Sequence, residues 1–244
     1  MNAEVRPSHF WDRSGQERAF ADRADRLLTR IDCRRADDTA QREAISRLRS
    51  QAYLRDGAIS PSSSRQCSDQ YDETDNAYLF ALYVDGELAS SLRVHVTSEE
   101  HLKLPSLEVF PNHLQPALDA GKVLVDTSFF VTDEKLSRIH RDLPYVTFRI
   151  CVLAAEYFRV DHCLAIAKAE HQAFYRRAFN YRKVCQPRLH PQMNEPVSLM
   201  ALHFPSAANE LYQKYPFFRS SSFERRRLFE RPERAAFSMH EPAA

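Results

Sequence analysis

Apolar positions along this chain recur with a helical period in some stretches and a period of two in others, and the switches between them mark its elements. Ala19, Phe20, Ala24, Leu27 and Leu28 give a weak helical stripe to an otherwise polar N-terminal stretch. Leu28 to Arg34 alternates and predicts a first strand. Asp37-Asp38-Thr39 is an acidic cap, and Ala44, Ile45, Leu48, Ala52 and Tyr53 follow at helical spacing until Gly57 stops the helix beyond Asp56. Ser60-Pro61-Ser62-Ser63-Ser64 reads as a loop.

Ala77 to Val84 and Glu87 to Val96 are aromatic and β-branched runs flanking Asp85-Gly86, a two-residue hairpin signal. In the second run Ser91, Arg93 and His95 share one face, opposite Leu88, Leu92, Val94 and Val96. Pro111 to Gly121 predicts a short helix. Lys122 to Thr132 predicts a strand with Asp126, Ser128 and Phe130 on one face and Val123, Val125, Thr127, Phe129 and Val131 on the other. Leu143 to Val160 is apolar nearly all round, as a deeply packed helix is, and Cys163 to Ala167 is a continuous buried strand. Strand, helix and strand in this order form a parallel crossover. A helix from His171 to Tyr181, strands at Val184 and Val197 to Phe204, and a closing helix from Ser206 to Tyr215 follow. The Arg-rich end after Phe218 reads as a tail or mobile helix. The sum is an α/β chain with one mixed sheet covered by helices: an N-terminal helical arm (1–27), a central domain (28–205), and a C-terminal helix with a basic tail (206–244).

At 244 residues and 43% hydrophobic content, the chain can bury one good core. It has neither an apolar run of membrane-spanning length nor an apolar signal-peptide centre, so a cytoplasmic protein is expected. Cys33, Cys67, Cys151, Cys163 and Cys185 are scattered without a Cys-x-x-Cys pair, and His95, His162 and His171 lack ligand spacing, so neither disulfides nor a metal is expected. The net charge of +1 hides an excess of bases, Arg138, Arg141, Arg149 and Arg177 among them, between Glu134 and His190. That excess fits an anionic partner, and without an interleaved aromatic stripe nucleic acid is disfavoured.

Four short motifs carry the candidate chemistry: Leu48-Arg49-x-x-x-Tyr53, Asp69-Gln70-Tyr71-Asp72, Ser90-Ser91-Leu92-Arg93, and Asp126-Thr127-Ser128-Phe129-Phe130. They place arginines and carboxylates beside a core. Such charges belong to a site or to a structural ion-pair network, because buried charge is costly without partners. Ser128 lies in no nucleophile elbow and no Ser-His-Asp order surrounds it, which argues against a nucleophile.

The element order resembles the GNAT acyltransferase fold, whose central mixed sheet is splayed between its middle parallel strands to admit an acyl thioester's pantetheine arm. The four motifs are similar in order and spacing to the acyl-homoserine lactone synthases. Tyr53 to Pro61, Asp69 to Asp72 and Ser90 to His95 are closer to the related N-acyl amino acid synthases of the long-chain N-acyltyrosine type. The chain departs from the lactone synthase pattern at Ile59, where a tryptophan is expected, at Asp126 in place of Glu, and at Phe129 in place of Arg.

This resemblance implies an N-acyltransferase moving a long-chain acyl group from an acyl carrier protein thioester to the α-amine of an amino acid, with no other cofactor. A lactone synthase using S-adenosylmethionine and a non-catalytic acyl-carrier or acyl-amide binding module are the alternatives. Asp126 is then a general base or polariser for the amine, or a partner of Arg93 or Arg49 in an ion pair. Tyr175, in Phe174-Tyr175-Arg176-Arg177, matches the position of the tyrosine that protonates the departing thiolate. Arg49, Tyr53, Arg93, Ser128, Phe129 and Phe130 are the expected substrate-binding residues, with Arg93 able to grip the amino acid's carboxylate bidentately. Asp69 and Asp72 form a structural electrostatic cluster, and Arg138, Arg141, Arg149 and Arg177 dock the carrier. The region from Asp133 to Asp142 lacks the glycine turn with which acetyl-CoA users of the fold hold a pyrophosphate, which favours a carrier-bound donor.

Overall fold

The computed structural model describes residues 12–57, 67–191 and 195–231; the expected serine-rich loop and Ile59 lie outside them. Helix α1 (Asp12–Leu28) leads into β1 (Ile31–Arg35), and α2 (Thr39–Arg55) starts where the acidic cap predicts, with the Asp38 carboxylate accepting from the Gln41 N–H. Strands β2 (Ala77–Val84) and β3 (Glu87–Val96) form the expected hairpin. Asp85 and Gly86 have φ of 49° and 87°, the positive values that a two-residue turn of this hand requires. Two short helices, α3 (Pro105–Val109) and α4 (Pro111–Asp119), precede β4 (Leu124–Thr132). Then come α5 (Glu134–Ile139), α6 (Leu143–Tyr157), β5 (His162–Ala167) and α7 (Gln172–Phe179). The two-residue strands β6 (Arg182–Lys183) and β7 (Arg188–Leu189), β8 (Pro196–His203), α8 (Phe204–Lys214) and α9 (Ser222–Phe229) complete the chain.

The sheet runs β1-β2-β3-β4-β5-β8-β6, with β7 pairing β8 off this path. Every neighbouring pair is antiparallel except β4 and β5, joined through α6. That parallel pair is short: Leu124 to Thr127 face His162 to Ala165, after which β4 continues to Thr132 without β5 beside it. The splay that the resemblance implies therefore opens just beyond Thr127 and Ala165.

One face of the sheet is covered by α6, whose Phe148, Cys151, Leu153 and Ala155 are buried in a core shared with α1, α7, α8 and α9. Ala24 and Leu27 of the expected arm, and Leu228 and Phe229 of the expected tail, belong to this core. The Arg-rich end is thus an anchored helix as far as Phe229, because its two terminal apolar residues find the aromatic surface of Tyr78, Phe80, Tyr157 and Phe158. On the opposite face α2 covers β2 to β4, and α3 with α4 covers β4, β5 and β8.

The alternation expected of β4 fails at one residue. Phe129 has φ of 49°, and the β3–β4 register shifts so that Phe129 and Phe130 together oppose Leu92 between the Arg93–Ser128 and Ser91–Val131 pairs. This bulge turns Phe129 and Val131 to the α2 face with Ser128, and sends Phe130 through to pack on Phe148 and Phe174. The expected grouping of Phe130 with Asp126 and Ser128 is accordingly corrected.

Candidate active site

The period-two face of β3 brings Ser91, Arg93 and His95 under α2, where Arg49 reaches down from the helix. Both guanidiniums are 1% exposed. Asp72, on a 3₁₀ turn at Gln70–Glu73, bridges them, accepting from Arg49 Nη1 at 2.7 Å and from Arg93 Nη1 at 2.8 Å. Asp69 caps that turn through the Tyr71 N–H and chelates Arg93 through both oxygens. The Phe129 ring lies against both cations, 4.2 Å from Arg49 and 4.4 Å from Arg93, so the bulge and the ion-pair network hold each other in place. Burial pushes the Asp72 carboxyl up, but the two guanidiniums outweigh it and hold Asp72 below its ordinary value.

This arrangement revises the role expected of Arg93. Four of its five N–H donors are engaged, three by Asp69 and Asp72 and Nε by Ser128 Oγ at 2.9 Å, so neither bidentate edge is open to a carboxylate. Arg49 is likewise walled off from ligand. Its Nε and Nη2 are buried without a hydrogen-bond partner among the described residues, and burial lowers its pKa. The neighbouring His95 is pulled down to about 4 by burial and by Arg93, and as a neutral ring it donates through Nε2 to the Tyr71 carbonyl at 3.0 Å.

Asp126 joins neither arginine. The Ser106 N–H and Oγ–H, at the start of α3, each donate at 2.7 Å to one of its oxygens, and the carboxyl is 1% exposed. Burial raises it to about 6 against the opposing pull of Ser106 and Arg93. Of the two roles open to Asp126, the ion pair with Arg93 or Arg49 is not formed among the described residues, because Ser106 occupies both oxygens, and Asp126 is not among the residues that line the cleft. Its visible work is to pin α3 to β4. In Asp126→Asn the Ser106 N–H keeps an amide oxygen while the Ser106 hydroxyl must turn to accept from Nδ2, a neutral bond in place of a charge-assisted one and a loss of about 1 kcal/mol. We expect a lower Tm with less than a tenfold fall in kcat. Because burial favours the protonated acid, its stabilising contribution is full below the ordinary aspartate value and is lost as pH rises through about 6. The Tm gap between wild type and variant should therefore narrow from pH 4 to pH 7. A hundredfold loss of kcat at unchanged Tm would return Asp126 to the chemistry.

The splay itself is a cleft of about 420 Å³ that passes through the sheet. Ser128, Phe129, Phe130 and Val131 line it from β4, Ile166 and Lys168 from the β5 side. Toward α2 and α3 its wall is polar, with Asp69, Tyr71, Arg93, Glu108 and His190; toward α6 and α7 it is largely apolar, with Phe130, Pro144, Phe174 and Tyr175. Tyr175 is buried, burial pushes its phenol up, and its hydroxyl makes no hydrogen bond among the described residues. Tyr53 also lines the cleft, edge-on to Phe129. Among the described residues no cluster of His, Cys, Asp and Glu could hold a metal ion, and no helix is long and apolar enough to cross a membrane.

Of the expected docking arginines, Arg138, Arg141 and Arg177 are exposed. Arg149 is not available: its guanidinium pairs with Glu224 and donates to the Phe217 and Arg219 carbonyls, fastening α9 to α6. Sequence reading missed that use because its partner sits 75 residues away. It also missed Ser106 and Lys168. Pro105 at the first turn of α3 was the available signal for the former.

The family model of the N-acyl amino acid synthase FeeM matches residues 44–203. The chain belongs to this family. No curated protein matches the sequence. Among solved structures, FeeM, an N-acyl amino acid synthase from uncultured soil microbes, superposes with a TM-score of 0.63 at 19% identity, covering 78% of this chain and 99% of that one. The AHL synthase LasI gives 0.51 at 13% identity over 73% and 94%. The CoA-dependent acyl-homoserine lactone synthase BjaI, solved with SAM and isopentyl-CoA, gives 0.51 at 12% over 76% and 89%. At these identities the likeness is one of fold, the GNAT-like acyltransferase fold. Membership of the synthase family makes the chain an acyltransferase.

Proposed function

We propose that this synthase transfers a long-chain acyl group from acyl carrier protein to the α-amine of an amino acid. The observation that carries the reading is the two-sided cleft: an apolar half ending at a phenol whose hydroxyl makes no hydrogen bond among the described residues, joined through the splayed sheet to a polar half. The thioester enters on the α6 and α7 side, and its carbonyl lies against the edge of β4 beyond Thr127, which has no ladder partner on the β5 side. Backbone N–H groups there stabilise the oxyanion as the amine attacks. The adduct's ammonium is acidic enough to lose its proton to a carboxylate of the polar wall, where Glu108 already accepts from the Tyr71 hydroxyl at 3.0 Å. Collapse breaks the C–S bond, and Tyr175 protonates the thiolate. The amine attacks as the free base formed when the acceptor's ammonium releases one proton to solvent, and the proton taken up by the polar wall returns through solvent to the Tyr175 phenolate, so that thioester and amino acid give amide, free thiol and one proton.

In this reading the carrier docks on exposed bases that flank α6 and α7 in the chain. Arg141 precedes Pro144 of the cleft wall, and Arg176 and Arg177 follow Tyr175 directly. Arg176, Arg177 and Arg182 also line a groove of about 790 Å³ between α7, β8 and α8. A carrier protein's acidic recognition helix complements such bases, and charge complementarity of this kind acts mainly on association rate. The test supplies acyl carrier protein and acyl-CoA donors of equal chain length with a mixture of amino acids, and reads products by mass spectrometry. An N-acyl amino acid made preferentially from the carrier is expected, with Arg177→Glu raising KM for the carrier, little change in kcat, and an advantage that shrinks with salt. Equal use of both donors at all salt concentrations would remove the carrier from the reading. A lactone formed only with S-adenosylmethionine would replace the reading altogether.

A further inference from the structure

The polar half of the cleft must recognise an acceptor, and its arginines and lysines are Arg55, Arg93 and Lys168. Arg93 is engaged by Asp69, Asp72 and Ser128. Arg55 is more than a third exposed at the C-terminal end of α2, its Nε held by its neighbour Asp56 at 2.9 Å. Lys168 differs from both. It follows β5 directly and, by the strand's alternation, continues the face of Leu164 and Ile166, which turns toward α3 and the polar wall.

Its burial is the informative feature. Lys168 is 8% exposed, yet its Nζ has one ion-pair partner, Glu195 at 2.9 Å, itself nearly half exposed. An ammonium carries three donors, and no further partner for this one exists among the described residues. Unlike Arg49, which lines no part of the cleft, this buried cation has its spare donors where a ligand can complete them. Here the donors belong to a residue of the cleft wall, on the side of the splay opposite β4.

Resting on the proposed function, we infer that Lys168 is the receptor for the acceptor's α-carboxylate. An α-amino acid carries its amine one carbon from the carboxylate. Anchoring the carboxylate on the β5 side thus directs the amine across the splay to the thioester on β4, and discriminates against amines that lack the acid. The inference concerns binding and positioning; no bond to Lys168 forms or breaks.

The experiment compares a preferred amino acid with its carboxamide as acceptors, in wild type, Lys168→Met and Lys168→Arg, at a fixed saturating acyl donor. Wild type should prefer the acid by about 10- to 100-fold in kcat/KM, the worth of a charge-assisted hydrogen bond. In Lys168→Met that preference should fall to within about threefold, through KM for the acceptor, while KM for the donor stays constant; Lys168→Arg should restore much of it. The comparison within each variant cancels a general loss of active protein. Undiminished preference in Lys168→Met overturns the inference and leaves the synthase reading standing. A wild type that acylates amino acids but does not distinguish acid from carboxamide overturns it equally. A wild type that acylates no amino acid overturns the proposed function itself, and this inference with it.

Discussion

Asp72→Ala should be the most destabilising single change in the active-site region. The substitution leaves two guanidiniums, each 1% exposed, without the carboxylate they share. Arg93 keeps Asp69, but Arg49 is left with a long contact of 3.5 Å to the Cys67 carbonyl and the face of Phe129. Removing one partner of a buried pair is worth about 3–5 kcal/mol. For a chain of this length that is a drop in Tm of roughly 6–20 °C. A thermal melt at pH 7 decides it, and a Tm within 2 °C of wild type would show that the network relaxes freely.

Acid should reproduce the same loss. The two guanidiniums hold Asp72 below its ordinary value, so its contribution is complete above the ordinary aspartate value of 3.8 and is lost as pH falls through its lower folded-state value. Asp72→Asn cannot titrate and should show a shallower acid limb. Activity is coupled to this through Phe129. Its left-handed backbone is held by the two cations against its ring, and it sets the bulge that sends Phe130 to the α6 and α7 side of the cleft.

The elements of this fold were largely legible because their signals are local. The Asp38 cap, the Asp85-Gly86 turn, the apolar circumference of α6 and the continuous β5 run each need only a few neighbouring residues. The faces of β3 were equally clear, since strict alternation places Arg93 beside His95 whatever lies above. Alternation misled at β4 because one left-handed residue reverses every later side chain, and nothing at Phe129 announces it: no glycine or asparagine stands there. The charge cluster could be foreseen as a cluster, but its wiring could not. Whether Asp126 meets an arginine or Ser106 depends on a five-residue helix whose position is set by tertiary contacts. The lysine at 168 was invisible for the same reason: only burial distinguishes it from the other bases of its stretch.

Tyr175→Phe should lower kcat by about a hundredfold while leaving the fold intact. The ring contributes to an aromatic cluster with Phe148, Phe174 and Tyr181, and phenylalanine preserves that packing. The hydroxyl, in contrast, has no hydrogen bond to lose among the described residues, so its removal has little structural effect and Tm should hold. Burial pushes the phenol above its ordinary value, so the group is protonated throughout the neutral range and stands ready as a donor. A raised pKa would make a poor acid toward water. In the cleft the departing thiolate is desolvated by the same apolar wall, and burial raises its basicity too, which keeps the transfer from phenol to sulfur favourable. The size of the effect should depend on the leaving group. With acyl thioesters of more acidic thiols, the sulfur departs without help and the gap between wild type and Tyr175→Phe should close, whereas a pantetheine donor should show it in full. Single-turnover measurements isolate that step from product release. A variant with undiminished single-turnover rate on the pantetheine donor would leave Tyr175 as part of the aromatic core, and thiolate protonation would then fall to solvent entering through the α6 and α7 opening.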